Sequence, residues 1–283
     1  MGERIAIVCD STCDLPRVWI EKYGITVVPE HVRFGDQDFR DGVDLDPPAF
    51  YAKLRSSDLL PKTSQPSPAE MQRAYEALAP SCDRIFSIHL SSKLSGAVDS
   101  ARVAAQSVSV PVEVIDSQFA SMAMGFIVVE AAEAAKRGDP QDVRNAIELT
   151  RARMHVYFLV DTLSYLQRNG RLGRAQAFMG TLLNVKPLLQ LKDGEILPFE
   201  QVRSRKRGME RQIEQMRTHF SVQAPKRGAI VHADIAEEAE KFAALAHETF
   251  PQTEWVVTYL GAVLGANAGP GVLGIVAYRG SDA

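Results

Sequence analysis

The sequence predicts an α/β protein in two parts, a mainly parallel sheet with helices on both faces and then a mixed sheet with a hairpin. Two patterns carry this reading. Before Arg153, short apolar runs alternate with helical segments, as parallel strands joined by crossover helices require. After it, Asp193-Gly194 separates two strand-like stretches, a strong signal for a tight hairpin. The expected division is therefore residues 1–153 and 154–283, two α/β domains with a ligand cleft between them.

Taken in order, Arg4 to Val8 reads as a first buried strand that ends in the polar loop Asp10-Ser11-Thr12. Pro16 to Tyr23 forms a helix closed by Gly24. Ile25 to Pro29 is a second strand, and His31 to Phe39 a small hairpin around Gly35-Asp36. Asp46 caps a helix that starts at Pro47 and runs to Arg55. Thr63-Ser64-Gln65 reads as a polar loop ahead of a capping box formed by Ser67 and Glu70. Arg84 to Leu90 is a strand, followed by Ser91-Ser92-Lys93-Leu94-Ser95-Gly96 and a helix from Ala97 to Gln106. Val112 to Ile115 is another strand, ending in Asp116-Ser117. Ala120 to Lys136 is a long apolar helix closed by Gly138, and Asp139-Pro140 opens one more.

In the second part, His155 to Val160 reads as a strand, and Asp161-Thr162 caps a helix reaching Gln167. Asn169 to Arg174 is a turn rich in glycine and arginine, followed by an apolar helix from Ala175 to Leu183. Lys186 to Leu191 and Glu195 to Val202 are the hairpin strands. A charged helix runs from Ser204 to Phe220 and a second helix from Ile235 to Phe250. Gly228 to Val231, Trp255 to Leu260 and Val272 to Tyr278 complete the strands.

The stretch from Ser91 to Gly96 carries the most chemistry. The first turn of a helix has backbone N–H groups without partners and a dipole that favours negative charge. Gly96 lets a ligand approach the backbone, and Ser92 and Ser95 add hydroxyl donors. The stretch reads as a seat for a phosphate or a carboxylate; the simpler reading is a serine helix cap. Asp10-Ser11 and Asp116-Ser117 also lie at strand carboxyl ends, where open α/β sheets bind ligands. Met122, Met124, Phe126, Phe178, Met179 and Leu182 offer either a pocket wall or ordinary core. Arg168, Arg171 and Arg174, with Arg203, Arg205, Lys206 and Arg207, offer either a docking patch or solvated surface.

Other classes are less well served. The 283-residue chain is 46% hydrophobic and 24% charged, as a soluble globular protein is, and its net charge of −3 argues against a general nucleic-acid binder. Three cysteines and six scattered histidines give no disulfide framework and no metal-site spacing, which suggests a reducing, cytoplasmic setting. The apolar run Phe119 to Val129 is shorter than the ~20 residues a bilayer span needs. Gly269-Pro270-Gly271-Val272-Leu273-Gly274 fits a dinucleotide pattern in letters only, because a strand follows it rather than a helix. A hydrolase built on Ser95 needs a histidine base, and His89 lies inside the preceding strand.

Taken together, the motifs resemble the DegV family of bacterial fatty-acid-binding proteins. The pieces are Thr63-Ser64-Gln65-Pro66, Ser91 to Gly96, Asp116-Ser117, Asp161-Thr162-Leu163 with Tyr165-Leu166, Gly170-Arg171-Leu172-Gly173, Lys186-Pro187 and Gly269-Pro270-Gly271. Each is weak alone; the ordered set spans nearly the whole chain. The resemblance implies two α/β domains with one long-chain fatty acid buried between them, and no metal, other cofactor or catalytic residue. It implies that a separate ATP-dependent fatty acid kinase phosphorylates the bound carboxylate for phospholipid synthesis, with transient membrane contact and no nucleic acid. By the same resemblance, Thr63, Ser95 and the backbone at Gly96 hold the carboxylate, with Ser92 and Asn267 as further candidates. Arg171, Arg174 and Arg203 would lie near the carboxylate or on the kinase-facing surface. Two positions depart from the family pattern. Asn267-Ala268 stands where the family often has His-Thr, and Ala97-Val98 where it often has Thr-Tyr. Asn267 can donate a hydrogen bond but cannot carry a proton. The main alternative is a stand-alone serine esterase or acyl hydrolase using Ser95; a sugar- or phosphate-binding module would need a polar pocket.

Overall fold

The computed structural model describes residues 2–180 and 185–280. Strands β1 (Ile5–Asp10), β2 (Thr26–Val28), β6 (Arg84–His89) and β7 (Val112–Asp116) form a four-stranded parallel sheet in the order β2-β1-β6-β7. Between β2 and β6, strands β3 (His31–Phe34), β4 (Gln37–Arg40) and β5 (Lys62–Ser64) make a small antiparallel sheet in the order β4-β3-β5. Helices α1 (Arg17–Tyr23), α2 (Pro47–Ser56), α3 (Pro68–Leu78), α4 (Ala97–Ala105), α5 (Ser121–Ala135) and α6 (Pro140–Ala152) complete the first half. The capping box at Ser67 and Glu70 is present, as is the left-handed Gly24 that closes α1.

From Met154 onward, six strands form one mixed sheet in the order β10-β9-β8-β13-β11-β12. They are β8 (Met154–Leu159), β9 (Lys186–Lys192), β10 (Glu195–Val202), β11 (Arg227–His232), β12 (Glu254–Tyr259) and β13 (Leu273–Tyr278). Only β11 and β12 pair in parallel. Helices α7 (Ser164–Arg168), α8 (Arg205–His219), α9 (Ala236–Thr249) and α10 (Ala262–Ala268) join these strands.

The molecule is layered around α5. Helices α3 and α4 cover one face of the parallel sheet through Met71, Tyr75, Ala101 and Ala104. Helix α5 covers the other face and also touches β8, β11 and β13. It is apolar nearly all round because both sides are buried. Helices α8 and α9 cover the outer face of the mixed sheet.

Three sequence expectations need correction, and one helix was not foreseen. Thr63 and Ser64 are not in a loop; they lie in strand β5, where Thr63 pairs with Val32. A three-residue edge strand with polar side chains carries no alternating apolar signal. The helix expected from Ala175 to Leu183 is a short 3-10 helix, Gly173–Phe178, and Met179 is already extended. Leu182 and the rest of 181–183 fall outside the described residues. Helix α7 starts at Ser164, and Asp161 does not cap it but pairs with Lys186 and Arg205. Helix α10 was unexpected, because the small residues of Gly261 to Gly269 give no helical periodicity.

Five contacts fix α10 and the hairpin against the first half. Gly261 N donates to Asp14 Oδ1 at 2.9 Å and Ala262 N to Asp41 Oδ1 at 3.2 Å, so first-half carboxylates satisfy the open N-terminus of α10. Tyr51 OH donates to Leu260 O at 2.9 Å beside them. The turn between β9 and β10 has Asp193 and Gly194 at φ 53° and 81°, the left-handed pair of a type I′ turn. Its tip sits on the serine turn: Ser91 Oγ donates to Gly194 O at 2.8 Å, and Lys93 pairs with Glu195 at 2.9 Å.

A Cβ on Gly194 would stand 2.6 Å from Ser91 Oγ as well as forcing a positive φ. Gly194→Ala is therefore expected to lower stability by at least ~1–2 kcal/mol, the left-handed backbone cost alone. The urea midpoint measures this, and an unshifted midpoint would contradict the docked turn.

Candidate functional site

A cleft lies between the inner face of the mixed sheet, α10 and the loops of the first half. Its body is apolar: Val156 and Phe158 from β8, Val231 from β11, Val276 from β13, and Val263 and Leu264 from α10. Alternation along the strands makes this wall, since Val276 faces inward while Ile275 and Ala277 pack under α8 and α9.

The polar residues of the wall connect to one another. Asn267 Nδ2 donates to Thr63 Oγ1 at 3.2 Å and to Val263 O at 2.8 Å. The second bond fixes which way the amide faces. Because Thr63 Oγ1 accepts from Asn267, its own O–H is left to donate elsewhere. Ser95 Oγ accepts from Ala97 N at 3.3 Å and donates to Glu30 Oε1 at 3.5 Å. Ser95 thus bonds the first helical N–H from one position before the Gly96 cap and is also a wall residue. Gln65 packs against Gly96, where a Cβ would lie 2.8 Å from its Nε2. Arg171 Nε donates to Leu94 O at 3.3 Å, which brings the glycine-arginine turn against the serine turn. Two other polar lining residues face away, Ser121 Oγ to Asp14 and Tyr157 OH to His219. The site therefore has an apolar body and one polar corner.

Of the expected residues, Thr63, Ser95, Asn267 and Arg171 line this cleft, and Gly96 adjoins it. Ser92 does not; its hydroxyl is exposed and bonded to Asp116 Oδ2 at 2.5 Å. Arg174 and Arg203 are exposed and outside the wall. Arg205 braces Asp161 and Gly271 O, and Arg207 pairs with Glu210 and Glu214. Met122, Met124 and Phe126 are fully buried core, and Phe178 and Met179 are not lining residues. The expected wall from α5 reduces to Ala120 and Ser121, because α5 spends its apolar surface on the two sheets.

Sequence reading missed Glu30, which is 2% exposed and lines the polar corner. Its signal was faint: one acid between Pro29 and His31, in a connection between strands. Ser11 Oγ accepts from Glu30 N at 3.0 Å and donates to Asp41 Oδ2 at 2.8 Å. Loss of hydration, then the charges of Asp10 and Asp41, hold Glu30 well above the ordinary carboxyl range. Burial likewise pushes Asp14 well up and Asp41 up to about 6.

A buried row beside the corner has the residue types of a hydrolase. Asp10 Oδ2 meets His89 Nδ1 at 3.0 Å, His89 Nε2 meets Ser87 Oγ at 2.7 Å, and Ser87 meets Tyr75 OH at 2.8 Å. Ser87 and His89 are fully enclosed, so no ester can reach them. Among the described residues, Ser95 shares no hydrogen bond with a histidine.

Because the folded protein keeps the Asp41 proton up to about 6 against 3.8 ordinarily, this group's stabilisation is full below the lower value and fades as pH rises to the higher. Asp41→Asn removes that slope while keeping an acceptor for Ala262 N. The variant's melting temperature relative to the parent should therefore climb across this window. Parallel curves would show that Asp41 titrates normally.

The sequence profile of the DegV family, described as uncharacterised proteins, matches residues 4–280. Protein DegV of Bacillus subtilis is 39% identical over 274 residues, covering 96% of this chain and 98% of that protein. Its crystal structure, that of a fatty acid binding protein, superposes with a TM-score of 0.92 at 38% identity, covering 98% of this chain and 100% of that one. A fatty-acid-binding DegV family protein from Thermus thermophilus superposes with a TM-score of 0.90 at 36% identity, over 98% and 99% of the two chains.

Proposed function

Because the chain belongs to the DegV family, we propose that it binds one long-chain fatty acid and presents the carboxylate to a separate ATP-dependent kinase. The observation that carries this is the cleft itself, apolar along its body with hydroxyl, amide and guanidinium donors at one corner. In this reading residues 1–153 and 154–283 act as two domains that enclose the ligand. About fifteen buried methylenes at ~0.8 kcal/mol each contribute ~12 kcal/mol before ordering and association offset part of it. A carboxylate drawn into such a site must be hydrogen-bonded. In this reading Thr63 O–H, Ser95 O–H and Arg171, which line the cleft, donate to it, and Asn267 orients Thr63. In the phosphoryl step the chain's own part is to hold the carboxylate still at the mouth of the cleft. The exposed Arg174 and Arg203 would meet the kinase, setting encounter rate more than affinity. The bacterial relatives from Bacillus and Thermus support fatty acid as the ligand class.

The test is to strip the purified protein of lipid, reload it with radiolabelled oleate and measure retained ligand. Thr63→Val and Ser95→Ala should each weaken oleate binding about tenfold or more, the loss of one donor to a charged group. Adding the partner kinase and ATP, with hydroxylamine to trap acyl phosphate, then tests presentation. A parent that retains no oleate refutes the ligand; loading without acyl phosphate refutes only the kinase role.

A further inference from the structure

We propose that Glu30 is the proton-bearing partner of the ligand head group, so that Glu30 and the fatty carboxyl together hold one proton. This rests on the fatty-acid reading above and goes beyond it in naming a residue and a charge state. Ser95 Oγ lies 3.5 Å from Glu30 Oε1, so a carboxylate that accepts from Ser95 is brought directly beside Glu30. Two adjoining carboxyls, one of them buried as Glu30 is, share a proton rather than both ionise. The surroundings do not supply enough positive charge to change this. Asp10 from the end of β1 and Asp41 from after β4 both oppose ionisation of Glu30. Against them stand the Ser95 hydrogen bond and the charge of Arg171, whose guanidinium also donates to Leu94 O and Asn169 O; burial and the two acids outweigh both. The nearest imidazole in the row, His89, is already held by Asp10 and Ser87.

A second observation points the same way. Among the described residues, Asn267 Oδ1 is buried with no hydrogen-bond partner. Its amide cannot turn over without giving up the bond to Val263 O. The wall therefore carries two acceptor groups, Asn267 Oδ1 and the Glu30 carboxyl, each in a residue bonded to one of the two hydroxyls that would hold the ligand carboxylate. An acceptor-rich corner is completed by a proton. With that proton on Glu30, its O–H donates to the ligand and leaves the ligand oxygen anionic, the form that a phosphoryl acceptor requires.

The experiment is infrared difference spectroscopy of the whole chain, loaded with palmitate minus empty, repeated with palmitate labelled with carbon-13 at its carboxyl. The expected result is a protonated-carboxyl band that loading perturbs, that the label does not fully move, and that Glu30→Gln abolishes. Glu30→Gln keeps a donor and should bind palmitate within a few-fold of the parent, whereas Glu30→Leu should bind roughly tenfold or more weakly. Absence of any protonated-carboxyl band in the loaded parent would overturn the proposal. So would a band that persists in Glu30→Gln or moves entirely with the label. If the parent retains no palmitate on gel filtration, the fatty-acid reading itself fails, and that outcome is distinct from loading without the Glu30 signature.

Discussion

Two carboxylates of the first half cap a short helix of the second, and the site depends on that contact. Asp14 and Asp41 accept from Gly261 N and Ala262 N at the start of α10. The other end of the same helix carries Asn267 to Thr63 in strand β5. A seven-residue helix of small residues has little stability of its own, so its position is set by what caps it and what it packs on. Phe50 and Tyr51 of α2 press so close that a Cβ on Gly265 would lie 2.5 Å from Tyr51 Oη. At its exit, Gly269 takes φ 83° with Tyr165 where a side chain would go, and Gly271 takes φ 81° against Asp161. The glycine-proline-glycine turn is thus a packing requirement of α10, not a nucleotide loop.

The same capping concentrates acids near the cleft. Asp10, Asp14, Glu30 and Asp41 come from different connections of the first half, and three of them are pushed toward the neutral form by burial. Asp10 is met by the histidine of the buried row and by Leu90 N and Thr12 N. The arrangement separates two jobs. In the proposed reading, donors from Thr63, Ser95 and Arg171 serve the ligand, while Asp14 and Asp41 behind them cap α10 and Asp10 and Asp41 oppose ionisation of Glu30. An esterase needs the opposite, an open nucleophile with a basic partner.

Most of the fold was legible because it rests on strong local signals. The capping box at Ser67, the left-handed Gly24 and the Asp193-Gly194 turn each require particular residues, and all three stand where the letters indicate. The serine turn was legible as a polar loop at a strand end, and Thr63 as a polar residue, though its strand was read as a loop. What escaped reading depends on distant partners. Strand β5 exists because β3 pairs with it, and α10 because two remote carboxylates cap it. Glu30 escaped because nothing local marks an acid as buried; its environment is assembled from residues 10, 41, 95 and 171. The methionines of α5 misled as wall candidates, because the same composition serves a helix packed between two sheets.

The central claim is that a fatty acid lies with its carboxyl at Thr63 and Ser95 and its chain along the mixed sheet. Crystals of the delipidated protein reloaded with palmitate brominated at its terminal carbon test this most directly, since anomalous scattering locates the tail without reference to the protein. The account predicts one bromine peak among the apolar side chains of β8, β11 and β13, with the carboxyl density in contact with Thr63 and Ser95. A bromine peak beside Thr63 and Ser95, or a cleft that stays empty while the protein is saturated with the acid, would contradict it.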